Sequence, residues 1–193
     1  MRGWPSRREY LERLVPRAKG AIVLSCLGAA SEQWGTLCPA DSNFYLFDFM
    51  GMPIPLALGV ALARPDRRVI AMEGDGGLLM DLGALVTVAK ASPPNLLVLL
   101  FFNGVYESSG GQPLPSDRMD LEGVARAAGF PLTAKVDSVK GFEETLARFL
   151  PQNQLGFITL LTAPQSPGRE TRYPAGPLEI RAKFGQWIRE HPP

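Results

Sequence analysis

The chain has 193 residues, 46% of them apolar and 20% charged, a composition suited to a globular fold with a sizeable core. Twenty basic residues against nineteen acidic ones leave a formal charge of +1, which gives no electrostatic reason to expect a nucleic-acid or polyanion binder. Cys26 and Cys38 are too few for a four-cysteine zinc or iron–sulfur site, and His191 is the sole histidine, so triads and zinc hydrolases built on histidine are not expected.

Ser6 and Glu9 have capping-box spacing, and Leu11, Leu14 and Val15 follow at helical intervals, predicting a helix over 7–15 closed by Pro16. Arg7 and Arg8 read as its solvated face. Ala21 to Leu27 is a short apolar run ending at Gly28. Coming after Arg17 and Lys19 it has some look of a signal-peptide core, but the pattern favours a buried strand and a cytoplasmic chain. Phe44 to Asp48 reads as a second strand, and Pro53 to Ala63 as a buried helix that stops at Arg64, just before Pro65. Arg68 to Glu73 is a strand running straight into Gly74-Asp75-Gly76-Gly77. A helix follows over 78–91, ended by Pro93-Pro94.

Asn95 to Phe102 is almost wholly apolar, the mark of a central parallel strand covered on both faces. Its longest purely apolar stretch, Leu96 to Phe102, has seven residues. A membrane-spanning helix needs about 20, so no membrane span is expected. A glycine- and serine-rich loop runs from Asn103 to about Asp117. Then come a helix over 121–128, a strand over 132–136, a helix over 139–150 and a strand over 156–161. A proline- and glycine-rich arm occupies 163–176, and a terminal helix 178–190.

Strands alternating with helices at this spacing predict an α/β fold, a doubly wound parallel sheet with helices on both faces. Such sheets bind ligands beyond the carboxyl ends of their strands. The segments Gly28 to Ser31, Asp48 to Pro55, Gly74 to Gly77 and Asn103 to Gly111 all lie there. Glycines at a strand-to-helix turn let a phosphate approach the backbone, and the helix amino end favours its charge. Asp75 would repel a phosphate directly but suits a divalent cation standing between them, with Asn103 supplying an amide oxygen from the next loop.

Gly74-Asp75-Gly76, followed after one helix and one strand by Phe102-Asn103-Gly104, resembles the signature of thiamine-diphosphate enzymes, which opens with Gly-Asp-Gly and closes with Asn-Asn. Met50 to Gly59 and Pro65 to Val69 resemble the helix and turn that precede the signature. Gly77 to Leu85 and Asn103 to Gln112 are most similar to sulfopyruvate decarboxylase β subunits and to the carboxyl half of phosphonopyruvate decarboxylase. The similarity covers roughly residues 20 to 165.

The resemblance implies that residues 1–193 form one thiamine-diphosphate (pyrophosphate-binding) domain, with 163–193 as arm and helix. It implies Mg²⁺ on the side chains of Asp75 and Asn103 and the carbonyl of Val105. It implies a diphosphate held by Gly74, Gly76 and Gly77 with Gly28, Ala29, Ala30 and Ser31. Met50 would bend the cofactor, and the Asp48 carbonyl would accept from its pyrimidine amino group. Tyr106 and Glu107, just after the metal loop, either face the thiazolium or substrate, with Glu107 the candidate catalytic side chain, or form a polar lid. The cofactor's C2 ylid would attack a small 2-oxo acid and release CO₂.

A pyrimidine-binding partner subunit would supply the activating glutamate, in a hetero-oligomer with two or more copies of each subunit. Arg169 and Arg172 in the arm could reach a sulfonate or phosphonate, though a partner contact or solvent exposure is the favoured reading. The chain departs from the pattern at Phe102, where an Asn is usual, at Asp48, where a small residue is usual, and at Ala29-Ala30, which replace polar residues. A carboligase of acyloin- or acetolactate-synthase type, and a non-catalytic cofactor-binding or regulatory module, remain open as alternatives.

Overall fold

The computed structural model describes residues 3–26, 28–115, 118–165 and 175–193. In chain order the elements are α1 (Arg7–Leu14), β1 (Ile22–Ser25), α2 (Ala29–Leu37), β2 (Asn43–Tyr45), α3 (Pro53–Ala63), β3 (Val69–Gly74), α4 (Asp75–Met80) and α5 (Ala84–Ala91). There follow β4 (Leu96–Phe102), β5 (Val105–Tyr106), β6 (Gln112–Pro113), α6 (Leu121–Ala128), β7 (Leu132–Val136), α7 (Val139–Phe149), β8 (Gly156–Leu161) and α8 (Pro177–Glu190).

Six strands form one sheet in the order β2-β1-β3-β4-β8-β7. Every neighbouring pair is parallel. Alternate residues of each strand feed opposite faces, as the two-residue period of a strand requires. Val23, Ile70, Leu97, Leu99 and Ile158 pack with Tyr10 and Leu14 of α1, Trp34 of α2 and Phe142 of α7. Leu24, Val69, Val98 and Phe157 pack with Ile54 and Ala57 of α3, Leu85 of α5 and Ala125 of α6. The doubly wound sheet read from the sequence is the fold observed.

At the amino end of α1, the Ser6 side chain accepts from Glu9 N while Glu9 reaches back to the Ser6 amide, the reciprocal pair the spacing predicts. Four local expectations need correction. Residues 29–37, where the sequence shows no apolar period, form α2. The helix expected over 78–91 is two helices, because Asp81 leaves the helical region (φ −143°, ψ 57°) and ends α4, and the chain restarts at Gly83. The expected loop after Asn103 carries a small antiparallel ribbon, β5 with β6. The second strand is also shorter than read, ending at Tyr45, and Asp48 adopts φ +54°. Arg169 and Arg172 lie outside the described residues. Among the described residues no helix is long and apolar enough to cross a membrane.

Candidate cofactor site

β3 and β4 lie side by side in register, with Gly74 opposite Phe101. Their carboxyl ends therefore deliver Asp75 and Asn103 to one place, although 28 positions separate them. Asp75 opens α4 and is 2% exposed. Its Oδ1 accepts from Gly76 N at 2.9 Å, and its Oδ2 from Asn103 N at 2.9 Å and Gly104 N at 2.7 Å. The Asn103 Oδ1 in turn accepts from Val105 N at 3.0 Å. The Gly-Asp-Gly turn and the Asn-Gly loop are thus fastened together by one carboxylate.

The turn borders a cleft of about 730 Å³ that crosses the carboxyl edge of the sheet. Most of the residues singled out from the sequence line it: Gly28, Ala29 and Ala30 at the start of α2, Met50, the Gly74 to Gly77 turn, Asn103, and Val105 to Glu107. Two do not. Ser31 is fully buried, its Oγ donating to the Cys26 carbonyl at 2.5 Å beside Ser25 Oγ, so it shapes the turn rather than facing the cleft. Asp48 is exposed and outside the cleft lining.

Gly76 shows why this turn needs glycine: a Cβ there would lie 2.7 Å from the Tyr106 ring. Helix α2 starts after Gly28 (φ +85°) with no side-chain cap. The amino end of this helix, with the positive end of its dipole, borders the cleft.

The electrostatics are mixed. Burial pushes the Asp75 carboxyl above its usual range, against the pull of its three amide hydrogen bonds. Burial likewise pushes Glu73 up to about 8, and its Oε2 has no hydrogen-bond partner among the described residues. Among the described residues no three His, Cys, Asp or Glu side chains gather into a metal-binding group. A cation here would therefore rest on one carboxylate, an amide oxygen and a backbone carbonyl, with a ligand completing its shell. That hard-oxygen set, half supplied from outside, suits Mg²⁺ bound with a phosphate.

Sequence reading missed Arg7. It is 5% exposed, lines the cleft and pairs with Glu107 at 2.5 Å, rather than facing solvent. Its partner lies 100 positions away, a distance at which helical periodicity carries no information. Glu107 has both oxygens engaged, the second by Gln165 N at 2.6 Å.

Residues 38–160 match the family model of the thiamine pyrophosphate enzyme, C-terminal TPP binding domain. The chain belongs to this family. This TPP domain is 35% identical over 97% of its length to phosphonopyruvate decarboxylase from Streptomyces viridochromogenes, covering 47% of that protein. It thus spans about half of that relative's length. It is 37% identical to sulfopyruvate decarboxylase subunit beta from Methanothermobacter thermautotrophicus, over 73% of this chain and 75% of that one. A solved structure, a putative thiamin diphosphate-dependent enzyme from Mycobacterium smegmatis, superposes with a TM-score of 0.73 at 22% identity, over 84% of this chain and 32% of that one. That last likeness shows the fold of the TPP domain.

Proposed function

We propose that the chain is the Mg²⁺- and thiamine-diphosphate-binding part of a heteromeric 2-oxo acid decarboxylase acting on a substrate of the sulfopyruvate or phosphonopyruvate kind. The observation that carries the reading is the Asp75 carboxylate bridging the Gly-Asp-Gly turn to the amides of Asn103 and Gly104. Asp75, the Asn103 side chain and the Val105 carbonyl would hold the metal. Gly76 and Gly77, with the amino end of α2 at Gly28 to Ala30, would hold the diphosphate. When bound, the cofactor supplies the electron sink for loss of CO₂.

The chain's own residues do the positioning. Met50 projects into the cleft just before Gly51, whose φ of +82° fixes the turn. The Asp48 carbonyl lies on the same segment. Tyr106 packs over Gly76 and fixes the height of the metal loop above the turn. Glu107, tied to Arg7 and to the Gln165 amide, anchors that loop at the cleft wall.

A partner subunit bearing the pyrimidine-binding wall and its glutamate completes the site, in a cytoplasmic assembly. Phe49 (63% exposed), Met52 (44%) and Met80 (59%) support that reading. They flank the contact where Gly51 approaches Asp81, an apolar rim of the sort that marks an interface.

Calorimetry with thiamine diphosphate, on the chain alone and co-expressed with its partner, tests the assignment. Binding is expected to require Mg²⁺, to vanish on chelation with EDTA, and to tighten with the partner. No binding in either preparation would sink it.

A further inference from the structure

The side of the cleft formed by α1 and the exit of β8 holds a cation that the metal and diphosphate assignments leave unused. Arg7 is the first residue of α1, and its side chain is 7% exposed. One edge of its guanidinium, Nη2, bonds Glu107 Oε2 at 2.5 Å, and the carbon lies 5.6 Å from the centroid of the Phe101 ring. The other nitrogen, Nη1, is buried and has no hydrogen-bond partner among the described residues. Glu107 spends its second oxygen on Gln165 N, and Ala163 N bonds Pro5 O at 2.9 Å, so both sides of the pair are tied to the backbone.

A guanidinium held by a carboxylate and a ring face has lost its rotamer freedom before any ligand arrives. Buried donors are almost always satisfied, so an unused one on a cleft wall points at what enters the cleft. A single ion pair would use one edge of the fork. The free edge matches an oxygen of a tetrahedral anion, the geometry for which guanidinium is suited.

We propose that Arg7 is an oxyanion-binding residue of this cleft, its free Nη1 donating to a phosphate-type oxygen while Glu107 holds the fork in place. The oxyanion is either the outer phosphate of the cofactor's diphosphate or the phosphonate or sulfonate of the substrate. This rests on the reading of the cleft as the cofactor and substrate site. Arg7 and the Asp75 turn then hold a polyanion from two sides, one through nitrogen and one through a metal.

The test is calorimetry on the intact protein with Mg²⁺, using thiamine diphosphate, inorganic pyrophosphate and phosphonoacetate as separate probes, on Arg7→Gln, Arg7→Lys and Glu107→Gln. Arg7→Gln is expected to weaken at least one anion tenfold or more. Arg7→Lys should recover part of the loss, and Glu107→Gln, which loosens the hold on the fork but keeps the guanidinium, should cost clearly less than Arg7→Gln. Loss on pyrophosphate and thiamine diphosphate assigns Arg7 to the cofactor. Loss on phosphonoacetate alone assigns it to the substrate.

Equal losses in Arg7→Gln and Glu107→Gln would reduce the pair to a strut and overturn the proposal, as would unchanged affinity for every anion in Arg7→Gln. If thermal unfolding shows that Arg7→Gln does not fold, Arg7→Lys decides: unchanged affinities overturn the proposal, and a several-fold loss on the two diphosphate probes together, or on phosphonoacetate alone, supports it. Wild-type protein that binds pyrophosphate through Arg7 but not thiamine diphosphate would defeat the cofactor assignment and leave the oxyanion site standing.

Discussion

Asp75→Asn is expected to weaken Mg²⁺-dependent thiamine diphosphate binding by about 100-fold or more, equivalent to about 2.8 kcal/mol at 1.4 kcal/mol per tenfold. The substitution removes the formal charge that a hard cation seeks and keeps the size of the side chain. It also sets an amide donor against at least one of the three backbone N–H groups that the carboxylate now accepts from. Asp75→Ala should go further. It leaves all three amides without their partner, at about 1 kcal/mol each in net hydrogen-bond terms. For a chain of this size that corresponds to a melting temperature lower by about 6–12 °C. Calorimetric titration reads the first effect and differential scanning calorimetry the second. An Asn variant binding cofactor as tightly as the wild type would remove Asp75 from the metal site.

Trp34→Ala carries the largest stability loss expected in the molecule. The Trp34 side chain is fully buried between α2 and the sheet, and its Nε1 donates to Asn43 Oδ1 at 3.1 Å. Truncation of such a residue costs about 3–5 kcal/mol, a fall in melting temperature of about 6–20 °C. The loss would not stay local. Trp34 anchors the helix whose first turn lines the cleft, and Asn43 also holds the Cys38 carbonyl at 2.7 Å and the Tyr45 hydroxyl at 2.9 Å. Cofactor affinity should therefore drop along with stability. Trp34→Phe fills most of the volume and gives up only the hydrogen bond, so about 1 kcal/mol is its expected loss. Thermal melts of both variants, each titrated with thiamine diphosphate and Mg²⁺, check the pair. An alanine variant as stable as the phenylalanine one would refute the packing account.

The sheet and the cofactor turn were legible in the sequence because both are written in local chemistry. Leu96 to Phe102 is apolar at every position, which only a strand covered on both faces tolerates. Gly-Asp-Gly and Asn-Gly after adjacent strands mark loops on one edge. Helix α2 escaped because its buried face is made of Ala30, Ser31, Trp34 and Gly35, mostly small residues that give no apolar period. The break between α4 and α5 escaped for the opposite reason: Leu78, Leu79, Leu82, Leu85 and Val88 read as one continuous pattern. The interruption at Asp81 is tied to the approach of Gly51, where an added Cβ would lie 3.0 Å from the Asp81 Cβ.

Ser31 was assigned to the diphosphate loop by its place after Gly28, yet the Cys26 carbonyl claims its hydroxyl. Arg7 illustrates the limit most clearly. Nothing in an amphipathic helix tells which arginine meets a glutamate on a loop that the chain builds only after four more strands.

The carboxylate clamp on the Asn103 loop also has a dynamic meaning. Asn103 and Gly104 belong to no strand or helix, and loop amides ordinarily trade their hydrogens with water quickly. Here both amides point at a buried acceptor. They should exchange as slowly as strand amides in protein free of any ligand, and so report, by hydrogen–deuterium exchange, whether the cavity is assembled before its guest arrives.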